Sequence, residues 1–123
     1  MEFDELSHRV LGCAIEVHKR LGPGLLESAY QQCLAYELSR LGIRFRTESP
    51  LAIEYREIRL DCGYRIDLFV EDQLIVELKS VERLGGIHTA QILTYMKLAR
   101  VSVGLLINFN VERLKDGIKR FVL

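Results

Sequence analysis

Along the first twenty-one positions, Leu6, Val10, Ala14, Val17 and Leu21 recur every three to four residues. That is the period of an amphipathic helix, predicted here from Phe3 to Leu21 with Asp4 as its cap. Gly22-Pro23-Gly24 breaks it. A second helix follows from about Leu25 to Leu41, with Tyr30, Leu34, Leu38 and Leu41 in one stripe and Gly42 as its stop. The period then changes. Ile43–Glu48, Leu51–Tyr55 and Ile58–Asp61 are short and rich in β-branched and aromatic residues, and read as strands. Tyr64–Val70 and Leu74–Ser80 form a hairpin across the polar triplet Glu71-Asp72-Gln73. A third helix covers about Ile87–Ala99, with a buried arc expected at Ile87, Ile92, Leu98 and Ala99. Ser102–Asn108 is a nearly continuous apolar strand, and Ile118–Leu123 is the last. One helix between Leu74–Ser80 and Ser102–Asn108 implies a parallel pair. The predicted class is α/β, a mixed sheet flanked by helices.

Length and composition narrow this further. The 123 residues, 49% hydrophobic and 28% charged, suit one soluble domain over residues 1–123. No apolar run reaches the roughly 18 residues that span a bilayer, so no membrane partner is expected. Cys13, Cys33 and Cys62 are odd in number and widely spaced, which argues against a disulfide framework and a structural zinc site, and for a reducing cytoplasm. Seventeen basic residues balance seventeen acidic ones. Basic residues do cluster at Arg40, Arg44, Arg46, Arg56, Arg59 and Arg65, and again at Arg113, Lys115, Lys119 and Arg120; solvated surface is the plainer reading of both runs.

Candidate chemistry lies on the hairpin. In alternation, Ile66, Leu68 and Val70 share one face, and Arg65, Asp67 and Phe69 the other. On the partner strand Ile75, Glu77 and Lys79 share a face. The three-residue loop places Asp67 opposite Glu77, with Cβ atoms about 5 Å apart. Two carboxylates so close repel unless a proton or a cation intervenes. With Lys79 beside them they suit a divalent-metal phosphodiesterase. Mg²⁺ takes carboxylate oxygens and keeps several waters, one of which can serve as nucleophile. A solvated surface cluster would show the same spacing.

Glu27 falls inside the apolar stripe of the second helix, and either caps the positive helix end or faces the same metal. Gln91 and Tyr95, four apart on the third helix, are either a half-buried amide and phenol or contacts for phosphate and water. His18 and His88 could touch phosphate, but structural roles are the plainer reading. Tyr30 reads as core, with its hydroxyl in reach of Glu27.

Gly24-Leu25-Leu26-Glu27-Ser28-Ala29-Tyr30 reads as GxxExxY. In order after it come Tyr64-Arg65-Ile66-Asp67, Val76-Glu77-Leu78-Lys79, Gln91-Ile92-Leu93-Thr94-Tyr95 and Leu106-Ile107-Asn108-Phe109. Over nearly its whole length the chain resembles the GxxExxY family of the PD-(D/E)XK nuclease superfamily. The resemblance implies a restriction-endonuclease-like core, αβββαβ, and Mg²⁺ chemistry on nucleic acid, with Mn²⁺ able to substitute. It assigns metal binding to Glu27, Asp67 and Glu77. Glu77 and Lys79 are similar to the (D/E)-x-K pair, and Gln91 and Tyr95 to the QxxxY element of the RecB-like and lambda-exonuclease-like branches. Ile66 stands where a proline often precedes the aspartate. The expected activity is phosphodiester hydrolysis, of DNA in preference to RNA. The alternative is a catalytically silent module on the same fold that binds nucleic acid or a partner. So small a chain has little surface for a duplex, which a homodimer or protein partner would extend.

Overall fold

The computed structural model describes residues 4–123, so Phe3 of the predicted first helix lies outside the described residues. Helix α1 (Glu5–Leu21) starts where Asp4 Oδ1 accepts the Ser7 N–H at 2.8 Å, satisfying one of the free amides of the first turn. It ends at Gly22, whose φ of 67° suits glycine. Helix α2 (Glu27–Arg40) begins two residues later than its apolar pattern suggests. The Tyr30 hydroxyl accepts the Leu25 N–H at 3.1 Å and donates to the Gly22 carbonyl at 2.6 Å. One buried phenol thereby fixes the glycine-proline loop that leads to Glu27. Tyr30 does not serve Glu27 directly.

The strands follow as β1 (Phe45–Pro50), β2 (Ile53–Tyr55), β3 (Ile58–Leu60), β4 (Arg65–Val70) and β5 (Leu74–Lys79). Helix α3 (Gly86–Ala99), β6 (Val103–Asn108), a 3-10 turn at Leu114–Gly117 and β7 (Ile118–Val122) complete the order. Five strands form one sheet in the order β1-β4-β5-β6-β7. The β5–β6 pair is parallel, as the α3 crossover predicts, and the other neighbours are antiparallel. Strands β2 and β3 pair only with each other, as a separate two-stranded arm. Without the arm and β7, the chain from α2 to β6 runs αβββαβ.

Helices α1 and α2 cover one face. Val10, Ala14, Tyr30, Leu34 and Leu38 pack there with Leu68, Val70, Leu74, Val76 and Leu78. Helix α3 covers the other through Ile92, Tyr95 and Met96, against Ile75 and Leu106. It approaches β6 closely at Gly104, where a Cβ would lie 2.7 Å from Met96 Sδ. Ile87 is 75% exposed, contrary to the expected arc, because α3 turns Met96 rather than Ile87 to the sheet. Leu21 and Leu41, at helix ends, are also largely exposed. No helix among the described residues is long and apolar enough to cross a membrane.

Candidate metal and phosphodiesterase site

The hairpin keeps the predicted register: Val70, Phe69 and Leu68 pair with Leu74, Ile75 and Val76. Its turn is tight, with Glu71 and Asp72 both left-handed and the Gln73 N–H bonded to the Val70 carbonyl at 3.0 Å. Arg44, just before β1, and Arg46 within it hold those two acids, with contacts of 3.1 and 2.6 Å.

The backbone ladder then stops one residue short of the Asp67–Glu77 pair. Asp67 donates its N–H to Glu77 Oε2 at 2.8 Å, and Leu78 donates its N–H to Asp67 Oδ2 at 2.8 Å. Each carboxylate has taken a backbone donor of the facing strand, so the sheet parts between β4 and β5. The β1–β4 ladder also skips this level: Thr47 and Ser49 pair with Leu68 and Ile66, while Glu48, at φ 50°, faces Asp67 without pairing. This double interruption breaks the alternation of β4. Ile66 was expected to share a face with Leu68 and Val70, but it packs on the α3 side with Leu51 and Ile75.

Both carboxylates hold protons more tightly than is usual for such groups. Burial, and then repulsion from Asp67, raises Glu77 to about 8. Burial raises Asp67 to about 6, with Glu48 and Glu27 adding repulsion against the Leu78 N–H and the Lys79 charge. Glu77 is 3% exposed, Lys79 is half-buried, and Glu27 lies exposed in the first turn of α2. Ser80, just after β5, ties down the loop that leads into α2, its hydroxyl donating to the Leu25 carbonyl at 2.6 Å. Across the sheet, Gln91 Nε2 donates to the Tyr95 hydroxyl at 3.2 Å. Burial raises the Tyr95 phenol, and the charges of Glu77 and Asp67 also act on it. The structure thus brings Asp67, Glu77 and Lys79 together, with Glu27 approaching from one helical layer and Gln91 and Tyr95 from the other.

Two further residues belong to this cluster. Glu48 repels both buried carboxyls, and Gln31 Nε2 donates to Glu48 Oε2 at 3.2 Å and to the Asp67 carbonyl at 3.3 Å. Gln31 lies one turn beyond Glu27, a spacing that puts both on one helix face. Glu48 carries no local signal. The two histidines have structural partners. His18 Nε2 lies 2.8 Å from the Val111 carbonyl, and His88 Nδ1 accepts the Gly85 N–H at 2.9 Å.

The donor set fits a hard divalent cation. Asp67 and Glu77 each commit one oxygen to a backbone N–H and leave the other free of protein donors among the described residues. Burial first, and then repulsion from neighbouring carboxylates, raises their proton affinity, and a bound cation would offset both. No group of three His, Cys, Asp or Glu side chains among the described residues is close enough to hold a metal by itself. The close acids are therefore a pair, Asp67 and Glu77, and a hard divalent cation on such a pair fills its remaining positions with water and substrate oxygens.

No curated protein and no solved structure matches this chain. The parted sheet, the paired acids and the mixed αβββαβ core instead agree with a match that runs from residue 4 to residue 121. The chain belongs to the PD-(D/E)XK nuclease superfamily and has its restriction-endonuclease-like fold.

Proposed function

We propose that this chain is a single-domain, divalent-metal-dependent nuclease of the GxxExxY type that hydrolyses phosphodiester bonds of DNA in preference to RNA. The observation that carries the reading is the reciprocal clasp of Asp67 and Glu77. It gives up backbone ladder to bury two repelling acids beside a lysine, which a purely structural hairpin does not need. Asp67 and Glu77 would hold Mg²⁺, or Mn²⁺ in its place, with Glu27 on α2 as an outer, third acid that draws in only when the cation binds. When bound, the cation supplies Lewis acidity at the phosphate and lowers the pKa of water.

The protein's own groups do the rest. Lys79 orients the attacking water and offsets negative charge developing on the phosphate oxygens. Gln91 and Tyr95, coupled by their hydrogen bond, position the phosphate from the α3 side. Gln31 ties Glu48 to the Asp67 backbone. The preference for DNA rests on the Gln91–Tyr95 pair, which resembles the QxxxY element. A cytoplasmic setting is supported by the free thiols of Cys13, Cys33 and Cys62.

The test is purified protein on labelled single-stranded, duplex and branched DNA and RNA, in Mg²⁺, Mn²⁺ or EDTA. Metal-dependent cleavage that Asp67→Asn and Glu77→Gln both abolish is expected. Cleavage that survives in EDTA or in either variant overturns the proposal, as does inertness on every substrate and metal.

A further inference from the structure

On the α3 side of the sheet, a groove of about 620 Å³ lies between β1, β4, the β2–β3 arm and the last turn of α3. Phe69 forms part of its wall. Two positions of strand, about 7 Å, separate Phe69 from Asp67. Arg46, Arg59, Lys97 and Arg100 line the groove, against one carboxylate, Glu54. In a chain of zero net charge, that is a local concentration of cations. Arg46 pairs with Asp72 at 2.6 Å, and Arg59 leans toward Glu54 at 3.9 Å. Lys97 and Arg100 form no ion pair among the described residues.

Cations in a last turn also favour the helix dipole. Arg100, however, is the left-handed C-cap, at φ 59° and ψ 45°. Glycine would avoid a cost of about 1–2 kcal/mol there, which makes Arg100→Gly a substitution the backbone accepts.

We propose that this groove carries the phosphodiester backbone of the nucleic acid away from the Asp67–Glu77 site, with Lys97 and Arg100 as positioning residues. The proposal rests on the nuclease reading, but binding tests it separately from cleavage. The probe is a fluorescein-labelled 20-nucleotide DNA, single-stranded or duplex. Its affinity is measured by anisotropy against salt, in a Glu77→Gln background that removes one repelling carboxylate. Lys97→Gln/Arg100→Gly, in which glycine suits the left-handed position, should lower affinity at least about tenfold at low salt. It should also reduce the slope of log affinity against log salt by about 1.4–1.8, the loss of two phosphate contacts. The single change Arg59→Gln, on the exposed arm, should reduce the slope by less than one. Lys115→Ala/Lys119→Ala removes the same charge elsewhere and should leave the slope unchanged. With Glu77 restored, the groove variants should raise KM at near-constant kcat. An unchanged slope in the groove variants, or an equal loss in the Lys115/Lys119 control, overturns the groove while leaving cleavage standing. Poly-glutamate bound with the same affinity and slope overturns it in favour of an acidic polypeptide. A lost slope without cleavage by the unsubstituted chain supports the groove and refutes the nuclease.

Discussion

Replacing Glu77 by glutamine should make the metal-free protein more stable at neutral and alkaline pH. Glu77 is buried and is pushed up to about 8 by burial and by Asp67. In the unfolded chain its carboxyl titrates near the ordinary 4.5. The folded state therefore binds the proton more tightly, and stability is lost as pH rises from about 4.5 through about 8. Each tenfold change in proton affinity is worth about 1.4 kcal/mol, which sets a ceiling of about 5 kcal/mol. Asp67 competes for the same proton, so the two rises do not add, and a loss of about 2–3 kcal/mol is expected. In a domain of this size that is on the order of 10 °C of Tm. The glutamine amide oxygen can still accept the Asp67 N–H, so Glu77→Gln keeps the clasp without the charge. Thermal melts in EDTA between about pH 5 and about pH 8.5 should show the unsubstituted protein falling throughout and Glu77→Gln falling less and levelling off above about pH 6, where only the rise of Asp67 has been lost. Mg²⁺ should restore much of the loss at high pH, because it binds only the folded site. A Tm for the unsubstituted chain that holds or rises over this range, or an equal fall in the variant, would mean that both acids are ionised and compensated. The account of the site would then be wrong.

Lys79→Ala should reduce turnover about 10²-fold or more with a much smaller change in DNA affinity, and Lys79→Arg should not restore it; steady-state cleavage with anisotropy reads both, and a pure loss of affinity refutes the assigned role. Tyr30→Phe removes the hydroxyl that joins Gly22 to Leu25 and should cost about 1–3 kcal/mol by denaturant unfolding, with a fall in cleavage because Glu27 is no longer held; unchanged activity would detach the loop from the site. Gly117→Ala would drive a Cβ into the Asn108 carbonyl. Backbone there cannot swing aside, so the same unfolding measurement should show a loss of about 3 kcal/mol or more, and a mild effect would show that the turn before β7 is free to shift.

Much of this architecture is legible in the sequence because its strongest signals are local. The polar triplet at Glu71–Gln73, flanked by alternating strands, fixes a hairpin register, and that register alone brings Asp67 opposite Glu77. The helix between two apolar strands fixes the parallel β5–β6 pair. What escapes is set by pairing between distant segments. Glu48 meets Asp67 only because β1 pairs with β4, and strand propensity does not name a partner. The same limit hides the arm: β2 and β3 look like any other strands until the sheet is assembled without them. Ile66 shows a different failure. Alternation holds only while the ladder is continuous, and the site itself interrupts it.

That interruption links the missed features to the chemistry. A β-sheet satisfies its backbone with its own carbonyls and leaves no room for a cation. Here Asp67 and Glu77 take over two of those acceptor positions, so the strands separate without leaving either amide unpaired. The same carboxylates that part the strands also hold them together, each with one oxygen on a backbone N–H of the facing strand. The cost appears as raised proton affinity rather than as missing hydrogen bonds. Lys79 lies just beyond the parted level, on a strand still fixed to β6. Its backbone carbonyl accepts the Phe109 N–H at 2.9 Å. Asn108 clamps the next turn of chain through both the N–H and the carbonyl of Val81, at 3.1 and 2.9 Å. The parted level of the sheet and the β6-paired anchor of the lysine thus lie close together on β5. In the proposed nuclease, the opened ladder would admit a cation and a phosphate, while the parallel pair beside it fixes the backbone of the lysine.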